Sequence, residues 1–406
     1  VIFRQCKNNN TIIIYKEQKM YKIATLNKIS SVGLNKLSDN YKIIDEIEEA
    51  HGILLRSYDL HDTKFSPELM AIGRAGTGVN NIPLEKCADE GIVVFNTPGA
   101  NANAVKELVL AGLLLSARNI PNGLAWTSSL KENIKETVEK GKGQFAGTEI
   151  KGKTLGIIGL GSIGVMVANA ASDLGMKVVG YDPFITIQAA HSLYSNIPVE
   201  DDLAILLPQC DYISIHVPVT DDTKGLVDAR RIDQMKNGAV LLNFARDTIV
   251  NDKALLNALE SGKLRNYVTD FPNDAVSGKM NVVALPHLGA STSEAEDNCA
   301  VMAAEELMEF IEKGNIKNSV NFPYCNLGAL NKEASARVCI LNKNVPSMLS
   351  KITNAMADLD INIRDLTNKS RGDYAVTLMD IDEDISEEDL TKAFDFEGII
   401  RVRIIR

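Results

Sequence analysis

The chain has 406 residues, 45% of them apolar and 24% charged, and carries a formal net charge of −10. That length gives two to three domains with ample core, and the acidic balance argues against nucleic acid or an anionic membrane as the main partner. An anionic small molecule would need a local basic pocket working against the overall field. The six cysteines (Cys6, Cys87, Cys210, Cys299, Cys325 and Cys339) are scattered without C-x-x-C spacing, which reads as reduced thiols buried as small hydrophobes in a cytoplasmic protein. The five histidines form no ligand spacing, so no metal site is expected. No apolar run approaches the length of a membrane span.

Residues 1–19 begin at Val1, carry Asn8-Asn9-Asn10 and lack signal-peptide architecture. They read as an N-terminal extension ahead of a natural start at Met20. From there short strands and helices alternate: Tyr21–Leu26, Gly52–Ser57, Leu69–Gly73 and Ile92–Asn96 read as strands, and Asn103–Ser116 as a long helix.

The most informative stretch is Thr154–Asp182. The apolar run Leu155–Ile158 enters the loop Gly159-Leu160-Gly161-Ser162-Ile163-Gly164, a small-residue helix follows, and a second apolar run, Val178–Tyr181, ends at Asp182. Gly159 permits the tight turn, Gly161 lets the backbone approach a pyrophosphate, and Gly164 lets helix and strand pack closely. The helix N-terminus faces the phosphates. Asp182, 18 residues after Gly164, can accept both ribose hydroxyls and would repel a 2′-phosphate, so NAD is expected over NADP.

Further strands are expected at Tyr212–His216, Ala239–Phe244, Tyr267–Asp270 and Val282–Leu285. Strands alternating with helices imply a doubly wound parallel sheet with ligands at the strand C-termini, where Asp182, His216, Arg246, Asp270 and His287 stand. Dehydrogenating an alcohol needs a base for the hydroxyl proton and a cation for a carboxylate. An imidazole exchanges protons near neutral pH, which suits His287 after its strand; a guanidinium grips a carboxylate bidentately, which suits Arg246. The bland alternatives are a structural histidine and a surface salt bridge.

Ser293–Lys313 reads as an amphipathic helix ended by Gly314, and 315–334 as lower-periodicity connecting chain. The tail has strands at Arg337–Leu341, Asn362–Asn368, Tyr374–Ile381 and Ile399–Ile405, with helices at Met348–Leu359 and from Glu387, capped by Ser386. This βαββαβ order implies a ferredoxin-like sandwich.

The chain resembles the D-isomer-specific 2-hydroxyacid dehydrogenases from about residue 20 to the end. The resemblance is carried by Ile72–Ile82, Asn96–Asn101, Gly159–Gly164, Ile215–Pro218, Asn243–Arg246 and Pro286–Thr292. It implies an α/β architecture: a Rossmann-type doubly wound parallel sheet, a split flavodoxin-like substrate domain and a C-terminal ferredoxin-like ACT domain. The expected boundaries are 20–98 for the first part of the substrate domain, 99–287 for the NAD-binding domain, 288–322 for the return to the substrate domain, 323–334 for a linker and 335–406 for the ACT domain.

By the same resemblance Arg246 binds and polarises the substrate's carboxylate and carbonyl, and His287 takes the C2 hydroxyl proton. Gly159, Gly161, Ser162, Ile163, Gly164 and Asp182 hold NAD. His216 and Asp270 line the nicotinamide side with Gly289 against it, and Val217, Pro218, Phe244 and Ala245 complete the cofactor set with Arg246 and His287. Arg56 and Ser57 match the place that holds a substrate phosphate, with Arg74, Ala75, Gly76 and Asn101 nearby. The implied reaction is NAD-dependent oxidation of 3-phospho-D-glycerate to 3-phosphohydroxypyruvate, the first step of serine synthesis, in a cleft between the first two domains of a homodimer or homotetramer. The alternatives are another D-2-hydroxyacid as substrate and an NAD-sensing binding protein.

Two departures stand out. The family's Asp-Val-Phe-x-x-Glu-Pro supplies a glutamate to the histidine, whereas this chain has Asp270-Phe271-Pro272-Asn273-Asp274, so that no glutamate stands in that place and His287 is expected to go without a carboxylate partner, with a substitute at Asp274 as the alternative. In the tail, Asn344 and Asn362 match the positions that hold serine in ACT domains, but Asn342 stands for histidine and Ser347 for glycine. A serine effector and a ligand-free dimerisation domain both remain open.

Overall fold

The computed structural model describes residues 20–406, so the expected extension 1–19, and Cys6 with it, lies outside the described residues. The chain divides into two compact units. One comprises residues 20–98 together with Glu296–Arg406, and the other is Gly99–Ala295.

In the first unit, β1 (Tyr21–Leu26), β2 (Tyr41–Ile44), β3 (Gly52–Leu55), β4 (Ala71–Arg74) and β5 (Val93–Asn96) form a parallel sheet in the order β2-β1-β3-β4-β5. This is the flavodoxin-like order. Every residue of β3 is buried, as expected of a central parallel strand covered on both faces. Edge strand β2 has no fully buried residue, and Ile43 is 45% exposed; without a buried face it gives no periodic signal, which is why the sequence reading passes over it. Helix Ser293–Lys313 belongs to this unit from Glu296 onward.

The second unit holds β6 (Thr154–Ile158), β7 (Lys177–Tyr181), β8 (Val199–Glu200), β9 (Tyr212–Ile215), β10 (Ala239–Asn243), β11 (Leu264–Thr269) and β12 (Val282–Ala284). They form a parallel sheet ordered β12-β11-β10-β9-β6-β7-β8. The strand order reverses between β6 and β9, the switch point where such sheets bind ligands. Helices Ala102–Ala117 and Ser162–Asp173 share one apolar core against the sheet through Val109, Leu113, Val165 and Ala168. Helices Ile120–Ser129 and Ile134–Gly141 bury no residue and are not expected from the sequence. The unit runs on to Ala295, past the expected end at 287, because the buried Gly289 amide donates to Asp270. Among the described residues no single helix is long and apolar enough to cross a membrane.

The tail, within the first unit, is β13 (Ala336–Lys343), helix Met348–Asp358, β14 (Ile363–Arg371), β15 (Tyr374–Ile381), helix Glu387–Ala393 and β16 (Ile399–Ile405). Its sheet is antiparallel in the order β14-β15-β13-β16, the ferredoxin-like arrangement. Ser386 caps the second helix by accepting from the Asp389 amide at 3.1 Å. The expected linker is packed rather than free: Ile316 pairs with Cys325, and Phe322 and Cys325 are buried. Asn315 organises the turn by donating to the Gly328 carbonyl and accepting from the Leu327 amide. These bonds are local side-chain business that hydrophobic periodicity does not report.

Candidate active site

In the second unit the strand ends build a dinucleotide cradle. Gly159 has φ +94°, and a Cβ there would stand 2.7 Å from the His216 carbonyl oxygen; at Gly164 it would stand 1.9 Å from the Gly159 oxygen. Both positions therefore exclude a side chain. A Cβ at Gly161 would meet nothing within 4 Å, so the space in front of the helix Ser162–Asp173 is open for a phosphate to approach the amides. Asp182 accepts from the Leu160 and Phe184 amides, each at 2.8 Å. This fixes its carboxylate at the end of β7 with lone pairs left for hydroxyl donors.

His216 meets the Ser214 hydroxyl through Nε2 at 2.8 Å. Burial pushes its imidazole down to about 3, so the ring is neutral across the working range and adds no positive charge beside a nicotinamide cation. Val217 packs on the Gly159 turn, and Phe244 is buried in the same core. Asp270, at the end of β11, accepts from the Gly289 amide at 3.1 Å. Its other oxygen, Oδ1, is buried without a partner, and burial raises its pKa above the ordinary carboxylate value. A buried orphan acceptor calls for a donor, and the carboxamide of a nicotinamide is one. The residues thus fit NAD: the glycine turn and open Gly161 face for the pyrophosphate, Asp182 for the ribose, and Asp270 for the carboxamide end.

Asn243 governs the turn after β10. Its side chain donates to the Arg246 carbonyl at 2.8 Å and accepts from the Ala245 amide at 3.1 Å, and Arg246 Nη1 donates to the Ala245 carbonyl at 2.6 Å. The Arg246 guanidinium is exposed, makes no ion pair, and lies over the Phe271 ring at 5.0 Å. His287 packs on the same ring, with centroids 4.3 Å apart. Phe271 therefore brings the candidate cation and base onto one aromatic surface. Asp274 is exposed and bonds to neither, so the alternative stand-in for the family's glutamate does not pair with His287. Among the described residues no carboxylate forms an ion pair with that ring.

In the first unit, Arg56 and Ser57 follow β3 and Arg74 ends β4. Arg74 Nε donates to the Arg56 carbonyl at 3.0 Å, and its guanidinium lies so close to Gly76 that a Cβ there would stand 2.0 Å from Nη1. Asn27, at φ +67°, accepts from the Ser57 and Tyr58 amides at 2.9 and 2.7 Å. Asn81 donates to the Tyr58 carbonyl at 2.7 Å. Ala75 is buried beside this corner. Asn101, grouped with these residues by sequence, belongs to the second unit, where it precedes helix Ala102–Ala117. The roles of Asn27, Asn81, Asn243 and Phe271 escape the sequence; the one usable signal is an asparagine at a strand's C-terminal end, just after β1 and at the last position of β10.

In the tail, Asn344 donates to the Gly372 carbonyl and Asn362 to the Asp382 carboxylate. Ser347 sits at φ +64°, a left-handed conformation that suits glycine and strains a residue with a Cβ.

Comparison with known proteins agrees with this geometry. A family model described as "D-isomer specific 2-hydroxyacid dehydrogenase, NAD binding domain" matches residues 110–289. A D-3-phosphoglycerate dehydrogenase of Haemophilus influenzae is 33% identical over 388 residues, 91% of this chain and 90% of that protein. The chain belongs to the D-isomer-specific 2-hydroxyacid dehydrogenases. As a member of that family it is an NAD-dependent oxidoreductase, and the resemblance, the α/β fold class and the cofactor expected from its sequence are borne out. A Methanocaldococcus jannaschii D-3-phosphoglycerate dehydrogenase is 36% identical over 295 residues, 70% of this chain, and the match spans about half (54%) of that longer relative. An NAD+-bound 3-phosphoglycerate dehydrogenase from Entamoeba histolytica superposes with a TM-score of 0.60 at 26% identity, covering 75% of this chain and 100% of that one.

Proposed function

We propose that this dehydrogenase oxidises 3-phospho-D-glycerate to 3-phosphohydroxypyruvate with NAD, as the first step of serine synthesis. The observation that carries the reading is the arginine pair Arg56 and Arg74 at adjacent strand ends, a concentrated positive site in an acidic chain and suited to a phosphate dianion. The near full-length similarity to the Haemophilus enzyme supports it. Arg246 grips the substrate carboxylate and polarises the C2–O bond. His287 takes the C2 hydroxyl proton as the hydride leaves C2, and NAD, when bound, accepts that hydride. Each turnover yields one ketoacid, one NADH and one proton.

The same reading makes the enzyme a cytoplasmic homodimer or homotetramer. The five described cysteines are buried free thiols, as suits a reducing compartment, and Leu114, Ile120, Leu124 and Ile134 leave apolar surface on the NAD-binding unit. The tail is read as an ACT domain, with serine as its candidate effector and a ligand-free dimerisation role as the alternative.

Steady-state reduction of 3-phosphohydroxypyruvate with NADH, beside glyoxylate, pyruvate and hydroxypyruvate, tests the assignment in wild type and Arg56→Ala. Strong preference for the phosphorylated ketoacid, lost in the variant, is expected. Equal turnover of the unphosphorylated acids would discard the serine-pathway assignment and keep the dehydrogenase. An activity that ignores millimolar serine would remove the effector.

A further inference from the structure

We propose that Glu296 is a specificity-determining residue: it occupies the Arg56 guanidinium and so sets the affinity of this site for phosphorylated substrate. The inference rests on the phosphate reading of Arg56 given above. Arg56 Nη1 donates to Glu296 Oε1, with side chains 36% and 48% exposed. An anion arriving from solvent therefore meets an ion pair, not a free cation. A part-exposed pair is weak and separable, so the phosphate can displace the carboxylate, but it must do so, and it then lies beside a like charge.

The carboxylate is held where it competes. Glu296 is in the first turn of helix Ser293–Lys313, and that helix has little freedom to shift. A Cβ at Gly33 would stand 2.4 Å from Ala300 backbone, and one at Gly73 would stand 3.1 Å from the Ala303 carbonyl oxygen. The neighbouring Asp297 is engaged with the Ser30 hydroxyl, which leaves Glu296 as the acid directed at the arginines. Arg74 Nε donates to the Arg56 carbonyl at 3.0 Å, so both arginines and Glu296 share one corner. The Arg56 guanidinium is thus shared between the Glu296 carboxylate and any arriving anion. Removing that carboxylate strengthens attraction for a dianion more than for a ligand without a phosphate.

The test is KM and kcat for 3-phosphohydroxypyruvate and for hydroxypyruvate, with NADH, in wild type, Glu296→Gln, Glu296→Ala, Arg56→Ala and Arg56→Ala with Glu296→Gln. Both Glu296 variants should lower KM for the phosphorylated acid roughly three- to tenfold with kcat within about twofold, and leave KM for hydroxypyruvate unchanged. The gain should shrink in high salt and vanish in the Arg56→Ala background. An unchanged or raised KM in both Glu296 variants, with Arg56→Ala still damaging, would overturn the competition and make Glu296 a support for the arginine. Indifference of the phosphorylated substrate to Arg56→Ala would instead overturn the phosphate reading, and the present inference with it.

Discussion

The His287 ring lies 4.3 Å, centroid to centroid, from the ring of Phe271, which also carries the Arg246 guanidinium over it at 5.0 Å. An aromatic face thus takes the orienting place that a carboxylate would fill, and the nearby acid of the loop, Asp274, points into solvent without a bond. Asp274→Ala should leave kcat within about twofold of wild type. Phe271→Ala should lower kcat by about tenfold or more, since small misplacements of reacting groups are costly. Phe271→Leu, which keeps bulk without a π face, separates packing from cation–π orientation. A large loss in Asp274→Ala would restore the acid as the histidine's partner.

Cofactor choice should follow Asp182. Its two amide bonds at 2.8 Å hold the carboxylate in place, so its charge cannot swing away from a 2′-phosphate. Asp182→Ser is expected to raise KM for NAD about tenfold and to lower KM for NADP, shifting the ratio of specificity constants by roughly a hundredfold. Initial rates with both cofactors read this directly, and unchanged discrimination would move the determinant elsewhere.

Much of this site is legible in the chain itself, because its largest parts obey periodicities. The strand at Tyr21–Leu26, the helix at Ser293–Lys313 and the strands at Tyr374–Ile381 and Ile399–Ile405 fall where apolar spacing puts them. The glycine turn at Gly159 is demanded by its backbone. What escapes is of two kinds. Edge strand β2, with no buried face, leaves no pattern, and helices Ile120–Ser129 and Ile134–Gly141 are short and bury no residue. Side chains that serve backbone amides, such as Asn27 for Ser57 and Asn243 for Ala245, depend on contacts distant in sequence or local to one turn. Phe271 was visible only as part of a departure from the expected loop; that it would gather Arg246 and His287 required the fold.

Glu306 gives the stability a pH dependence of definite sign. One oxygen accepts from Asn318 Nδ2, the other is buried without a partner, and burial pushes the carboxyl up from 4.5 to about 7. The folded protein therefore holds this proton more tightly than the unfolded chain does. No penalty arises below about pH 4.5; the folded state loses stability as pH rises from there through 7, by about 3 kcal/mol in all. Glu306→Gln keeps the acceptor for Asn318 and removes the ionisation. It should raise Tm above pH 7 and flatten the Tm profile between pH 4.5 and 7; a variant whose profile parallels wild type would refute this.

The tail is fastened by Arg337. This side chain is fully buried and uses its whole fork: Nε and Nη2 on Asp380 at 2.6 and 3.0 Å, Nη1 on the Lys313 and Gly328 carbonyls, and Nη2 again on Ala329. It thus joins the end of the long helix, the packed connector and β15. Arg337→Ala strands a buried carboxylate and the Lys313 and Ala329 carbonyls, while Gly328 keeps Asn315, and should cost about 3–5 kcal/mol in urea unfolding. Asp380→Leu should cost a similar amount by leaving the guanidinium without its counter-ion. The double variant Arg337→Met with Asp380→Leu should recover part of that loss, since no buried charge remains. Recovery must stay incomplete, because apolar side chains return nothing to the Lys313 and Ala329 carbonyls. Full recovery would mean that water satisfies those carbonyls and that the ion pair, not the carbonyl fork, fastens the tail.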